Sequence, residues 1–112
     1  MARVALFVPD LLFGSNVLGA MRSAGHEAVL VSELAELDPD AADLLVVDLT
    51  LDAPARVQLA TGPPFERLPK LAFYAHVEAD VRELAQRAGF DLVVPRSRMA
   101  REGPQLVARL TG

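Results

Sequence analysis

Seven residues of this chain have the types and placement to do chemistry. They are Asp10, Ser15, Asp48, Tyr74, His76, Arg96 and Ser97, and most follow directly on a short apolar run. Asp10 and Asp48 are the carboxylates that a hard cation such as magnesium would need. With no cysteine and only two histidines, a thiolate or histidine-built metal site is excluded. Arg96 with Ser97 could bind an anion, and His76 could carry a proton near neutral pH. Each also has a plainer role. Asp48 can cap the turn Thr50–Pro54. Asp10 can cap the helix that follows it, the role we favour, because aspartate readily accepts hydrogen bonds from the free amides of a first helical turn. His76 can start a helix, and Arg96 can form an internal ion pair with Asp48 or Asp10. Of these arrangements the ion pair is the expected one.

Positioning these residues requires strand ends that converge. Leu44-Leu45-Val46-Val47 runs unbroken into Asp48, which reads as a strand buried on both faces of a parallel sheet. Val4–Val8, Ala28–Val31, Leu71–Ala75 and Leu92–Val94 give four more strands. Helical spacing connects them. Phe13, Val17, Leu18, Met21 and Ala24 mark a first helix closed by Gly25, and Ser32 is the expected N-cap of a brief helix over Glu33–Leu37. Pro54 is expected to open a third helix, and Val77, Val81, Leu84, Ala85 and Ala88 stripe a fourth, closed by Gly89. Leu106, Val107 and Leu110 mark a fifth, with Pro104 expected in its first turn. Five β–α units predict a single α/β domain over residues 1–112. The expected architecture is a flavodoxin-like three-layer α/β/α sandwich with a five-stranded parallel sheet in the order 2-1-3-4-5. In such a sheet, ligands sit at the carboxyl ends of the strands. His26 falls on the opposite rim and is expected to be structural.

Composition narrows the function. A net charge of −4 and a pI near 5.0 lack the basic excess that nucleic-acid binding requires. Arg96, Arg98 and Arg101 are a local exception that could hold an anion or simply line a solvated turn. No apolar run approaches the roughly 20 residues that span a bilayer, and no signal-peptide pattern precedes the first strand, so the expectation is a soluble cytoplasmic protein. Gly14 and Ser15 could form a phosphate-cradling turn, on the weak evidence of one glycine.

Together these residues resemble a response-regulator receiver domain over nearly the whole chain. Asp48 matches the phospho-accepting aspartate and Asp10 one member of the magnesium-holding acidic pair. Leu68–His76 resembles the fourth-strand segment, and Ala88-Gly89-Phe90-Asp91 the turn before strand five. The other acidic position falls on Pro9, the switch threonine or serine on Tyr74, and the strand-five lysine on Arg96, within Pro95-Arg96-Ser97. The chain is also similar to uncharacterised small receiver-like proteins with an Asp-Leu-x-Phe-x-Ser stretch, here Asp10 to Ser15, and a Pro-Arg-Ser stretch. The resemblance implies the fold, magnesium as the only candidate cofactor, and a non-catalytic signalling module that has lost the standard phosphorylation cycle. Its partner would be another protein or a second copy, bound on the face of the fourth helix, fifth strand and fifth helix, where Arg82, Glu83, Arg98 and Arg101 fall. The alternative is a small-molecule or anion-binding domain that uses the strand-end cluster.

Overall fold

The computed structural model describes residues 2–75 and 79–112. Strands β1 (Arg3–Phe7), β2 (Glu27–Val31), β3 (Leu44–Asp48), β4 (Lys70–Tyr74) and β5 (Leu92–Pro95) form one parallel sheet in the order β2-β1-β3-β4-β5. The strand order is the one expected. The two continuous apolar runs explain it: β3 and β4 are buried at every position and lie in the middle. Helix α1 (Leu11–Ser23) and helix α4 (Arg96–Thr111) cover one face, where Val17, Met21, Met99, Leu106 and Val107 pack on Leu6, Val46 and Phe73. Helix α2 (Ala53–Thr61) and helix α3 (Ala79–Arg87) cover the other, where Val57, Ala60 and Ala85 pack on Val47, Leu49 and Tyr74. Each of the larger buried side chains, Val, Leu, Met or Phe, contributes about 1.5–3 kcal/mol. Among the described residues no helix is long and apolar enough to cross a membrane.

Three local expectations are corrected. The brief second helix is instead two single-turn 3-10 helices, Leu34–Glu36 and Pro39–Ala41. Glu33, not Ser32, is the N-cap of the first. The Glu36 carboxylate reaches back to accept from the Ser32 hydroxyl and from the amides of Ser32 and Glu33, which tightens the turn, and Pro39 prevents its continuation.

The last helix begins at Arg96, eight residues before Pro104, which lies in its interior. Its early buried positions are Met99 and Gly103, and a glycine leaves no apolar mark in a stripe. Gly103 gives the methionines room: a Cβ would come within 3.3 Å of both Met21 Cε and Met99 Cε, and those side-chain ends would have to shift. Gly14, finally, lies inside α1 and belongs to no phosphate-cradling turn. A Cβ on it would stand 2.9 Å from Leu30 Cδ1 and 3.2 Å from the Val8 carbonyl, so it permits α1 to approach the sheet.

The opposite rim is tied by His26. Its Nδ1 accepts from the Ala2 amide at 3.2 Å, which makes Nε2 the protonated nitrogen facing the Pro104 carbonyl at 3.3 Å. That is the structural role expected of it.

Candidate functional site at the strand ends

Asp48 closes β3 and is only 3% exposed. Its Oδ1 accepts from both the backbone amide and the hydroxyl of Thr50, a tight turn immediately after the strand. Its Oδ2 lies 3.8 Å from Nη1 of Arg56. The same Nη1 donates to the Asp48 backbone carbonyl at 2.8 Å, and the guanidinium carbon stands 5.7 Å from the centre of the Phe7 ring. Asp52, in the left-handed region at φ 53°, turns the chain back into α2, which brings Arg56 over the strand end one helical turn later.

Arg56 is the rim residue that sequence reasoning missed. One signal for it was available: it is the only charged residue in Ala53–Thr61. A lone charge within an otherwise uncharged helical segment needs an internal partner when it is buried.

Asp10 caps α1. Its Oδ1 accepts from the amides of Leu12 and Phe13 at 3.1 and 3.2 Å, as expected of a capping aspartate. Its Oδ2 lies 3.3 Å from Nη2 of Arg96, and both side chains are nearly half exposed. Arg96 is further held by the Phe13 ring, whose centre is 4.2 Å from the guanidinium carbon. Phe13 in turn leans on Phe73, with ring centres 5.1 Å apart. The expected ion pair of Arg96 therefore forms with Asp10, while the cation beside Asp48 is Arg56. Ser97 lines a cleft of about 420 Å³ with Phe13, Ala75, Arg96 and Ala100. Ser15 is exposed on α1. Tyr74 is 6% exposed and packs with the α2 and α3 side of the core. His76 lies outside the described residues. Three of the seven candidates thus fall into two separate arrangements, Asp10 with Arg96 and Asp48 with Thr50 and Arg56, while Ser15, Tyr74 and Ser97 join neither.

As a donor set for a divalent cation, the rim offers two carboxylates, Asp10 and Asp48. Each of the two already faces a guanidinium. Among the described residues no three histidine, aspartate or glutamate side chains gather as a metal would require. Hydrogen bonding to Arg3 holds Asp43 below the usual carboxylate range, and bonding to Ser32 and the Glu33 backbone does the same for Glu36. Burial pushes Lys70 down, opposed by the charges of Asp91 and Glu66.

No family model and no curated protein matches this sequence. The fold has many counterparts among solved structures. The non-phosphorylated HemR receiver domain from Leptospira biflexa superposes with a TM-score of 0.81 at 19% identity, over 100% of this chain and 95% of that one. The receiver domain of the sensor histidine kinase PA1611 from Pseudomonas aeruginosa, solved with magnesium in its active-site cleft, gives 0.76 at 19% identity over 99% and 98%. A response regulator from Thermotoga maritima gives 0.78 at 13% identity over 99% and 98%. The chain has the receiver fold. Identities this low establish the fold and leave the chemistry of the rim to be argued from its own residues.

Proposed function

We propose that this chain is a receiver-like signalling module that acts by binding a protein partner or a second copy, without turnover and without the standard aspartyl phosphorylation cycle. The observation that carries this reading is the engagement of Asp48. A phospho-accepting carboxylate needs a free oxygen and a cation shared with the incoming phosphoryl group. Here Oδ1 accepts from Thr50, the Arg56 guanidinium 3.8 Å from Oδ2 stands where that cation would be, and the residue is almost fully buried. On its own side chains this rim makes a poor magnesium site. A guanidinium already supplies positive charge to each carboxylate, and a third acidic ligand at position 9 is replaced by proline.

The fold offers the α3–β5–α4 face for binding. Strand β5 is an edge with Leu92 and Val93 half-buried, and α3 and α4 flank it with exposed Arg82, Glu83 and Arg101 and half-buried Arg98. Glu83 pairs with Arg87 at 2.6 Å and Arg98 with Glu102 at 3.5 Å, which keeps much of this face's charge internally balanced.

The test is a titration with magnesium and beryllofluoride, a phosphoryl mimic, followed by amide NMR. The expected result is no shift centred on Asp48. Saturable shifts at Asp48 spreading to Tyr74 and Arg96, together with a gain of about 80 Da after acetyl phosphate that Asp48→Asn removes, would overturn the reading.

A further inference from the structure

Beside the Asp10–Arg96 pair, where β4 ends and α4 begins, lies the cleft of about 420 Å³. That volume falls within the roughly 300–1,000 Å³ of small-molecule sites. The cleft sits at the carboxyl ends of the strands, where sheets of this kind bind ligands. Its walls explain the space. Ala75, Ser97 and Ala100 are small, and they face the large ring of Phe13 on α1. Phe13 and Ala100 also line a tighter cavity of about 90 Å³ with Val17, Met99 and Pro104, so the apolar lining extends between α1 and α4.

The polar groups are few and close together. Arg96 and its neighbour Ser97 are the only polar side chains lining the cleft. The Arg96 guanidinium is laid against the Phe13 ring at 4.2 Å, which holds it at the wall. Asp10 engages only its Nη2, at 3.3 Å, and among the described residues Nε and Nη1 meet no acceptor. Asp10 and Arg96 are both nearly half exposed, so their pair is weak and costs little to share or exchange. The planar fork of an arginine suits a carboxylate, which it can hold through two parallel bonds. A compact polyanion such as phosphate is a poorer match. It would meet one cation, the nearby Asp10 carboxylate, and walls with nothing else to bond to it.

We propose that this cleft binds a monocarboxylate with an apolar body. The carboxylate bridges Arg96 and the Ser97 hydroxyl, and the body lies over Phe13, Ala75 and Ala100. The inference goes beyond the protein-binding role and does not depend on the state of Asp48, so it can hold or fail independently of both.

The test titrates the full chain with 2-naphthoate, an aryl carboxylate, and with octanoate, an alkyl one, and follows amide NMR. Neutral 2-naphthamide and inorganic phosphate serve as controls. The expected result is saturable shifts at Phe13, Ala75, Ser97 and Ala100 with at least one of the two carboxylates. Binding should weaken about tenfold or more for the neutral amide and for Arg96→Gln, because each removes one side of a charged hydrogen bond. Ala100→Leu fills the cleft from an exposed helical position and should abolish binding while far-UV circular dichroism matches that of the parent. Asp10→Asn keeps the cap oxygen but removes the competing charge, so it should tighten binding. Silence with both carboxylates would overturn the proposal. So would equal binding of 2-naphthamide, unchanged binding to Ala100→Leu, or weaker binding to Asp10→Asn. Phosphate shifting the same amides at lower concentration than either carboxylate would also overturn it, by making the cleft a plain anion site.

Discussion

Two aspartates follow or close neighbouring strands of this sheet, Asp10 capping the helix after β1 and Asp48 closing β3, and each meets an arginine. Asp10 and Arg96 meet at the surface, with side chains 44% and 46% exposed. Asp48 and Arg56 meet in the interior, at 4% and 12%. The groups are the same, but burial reverses what each pair is for. Water already solvates the outer pair, so its Coulomb energy is small and salt-screened, and Asp10 matters mainly as a helix cap. The inner pair has little water to fall back on, and neither member tolerates loss of the other.

The sharpest way to break this contrast is Arg56→Ala. It would leave the Asp48 carboxylate and carbonyl buried without their cation and remove the contact over Phe7. The expected loss is about 3 kcal/mol in a denaturant titration. Asp48→Asn should cost about half of that, because an asparagine oxygen can still accept from Thr50 and Arg56 keeps the backbone carbonyl. A double-mutant cycle that found these losses additive would show that the two side chains do not act as a pair.

The same contrast explains what could be read from sequence. The apolar runs disclosed the strands and their order, because burial on both faces leaves no polar alternation. Asp10 as a cap and Arg96 as half of an ion pair were legible, since capping is local and Arg96 follows directly on a strand. Arg56 was not. It acts on Asp48 from eight residues away, across a turn whose left-handed Asp52 fixes the geometry, and no short motif encodes that. The start of α4 was hidden for a related reason. Its buried face begins with Met99 and Gly103, and Pro104, read as a first-turn residue, sits mid-helix. The shortness of the β2–β3 crossover helices escaped notice because the Glu33–Leu37 stretch looks helical by composition, and only the Glu36 back-bond and Pro39 show how short it is.

Lys70 extends the comparison to a cation without a carboxylate partner. It is 4% exposed, and its ammonium donates to the carbonyls of Leu68 at 2.7 Å and Glu66 at 3.4 Å. Burial lowers its pKa below the ordinary 10.5. Between the lowered value and 10.5 the unfolded chain holds more protons than the folded one, so stability from this group rises with pH across that window. Below the window the charged ammonium carries its full desolvation cost. The difference in unfolding free energy between the parent and Lys70→Met should therefore shift in the parent's favour from neutral pH toward 10.5. A difference that stayed flat would mean that the two carbonyls fully replace water around the ammonium.

The smallest effects belong to the outer pair, and they separate its two functions. Asp10→Ala removes both cap and charge and should cost about 1 kcal/mol, the usual loss when an N-cap side chain is deleted. Asp10→Asn keeps an oxygen for the Leu12 and Phe13 amides and loses only the charge, so it should cost about 0.5 kcal/mol or less. Arg96→Ala loses the ion pair and the contact over Phe13, and should fall between them. Of these, the Asp10→Asn loss should shrink most with added salt, because it is the one made only of exposed charge. If Asp10→Asn instead cost as much as Asp10→Ala, and salt left it unchanged, Arg96 would be holding Asp10 as tightly as Arg56 holds Asp48. The two strand ends would then be equivalent despite their difference in exposure.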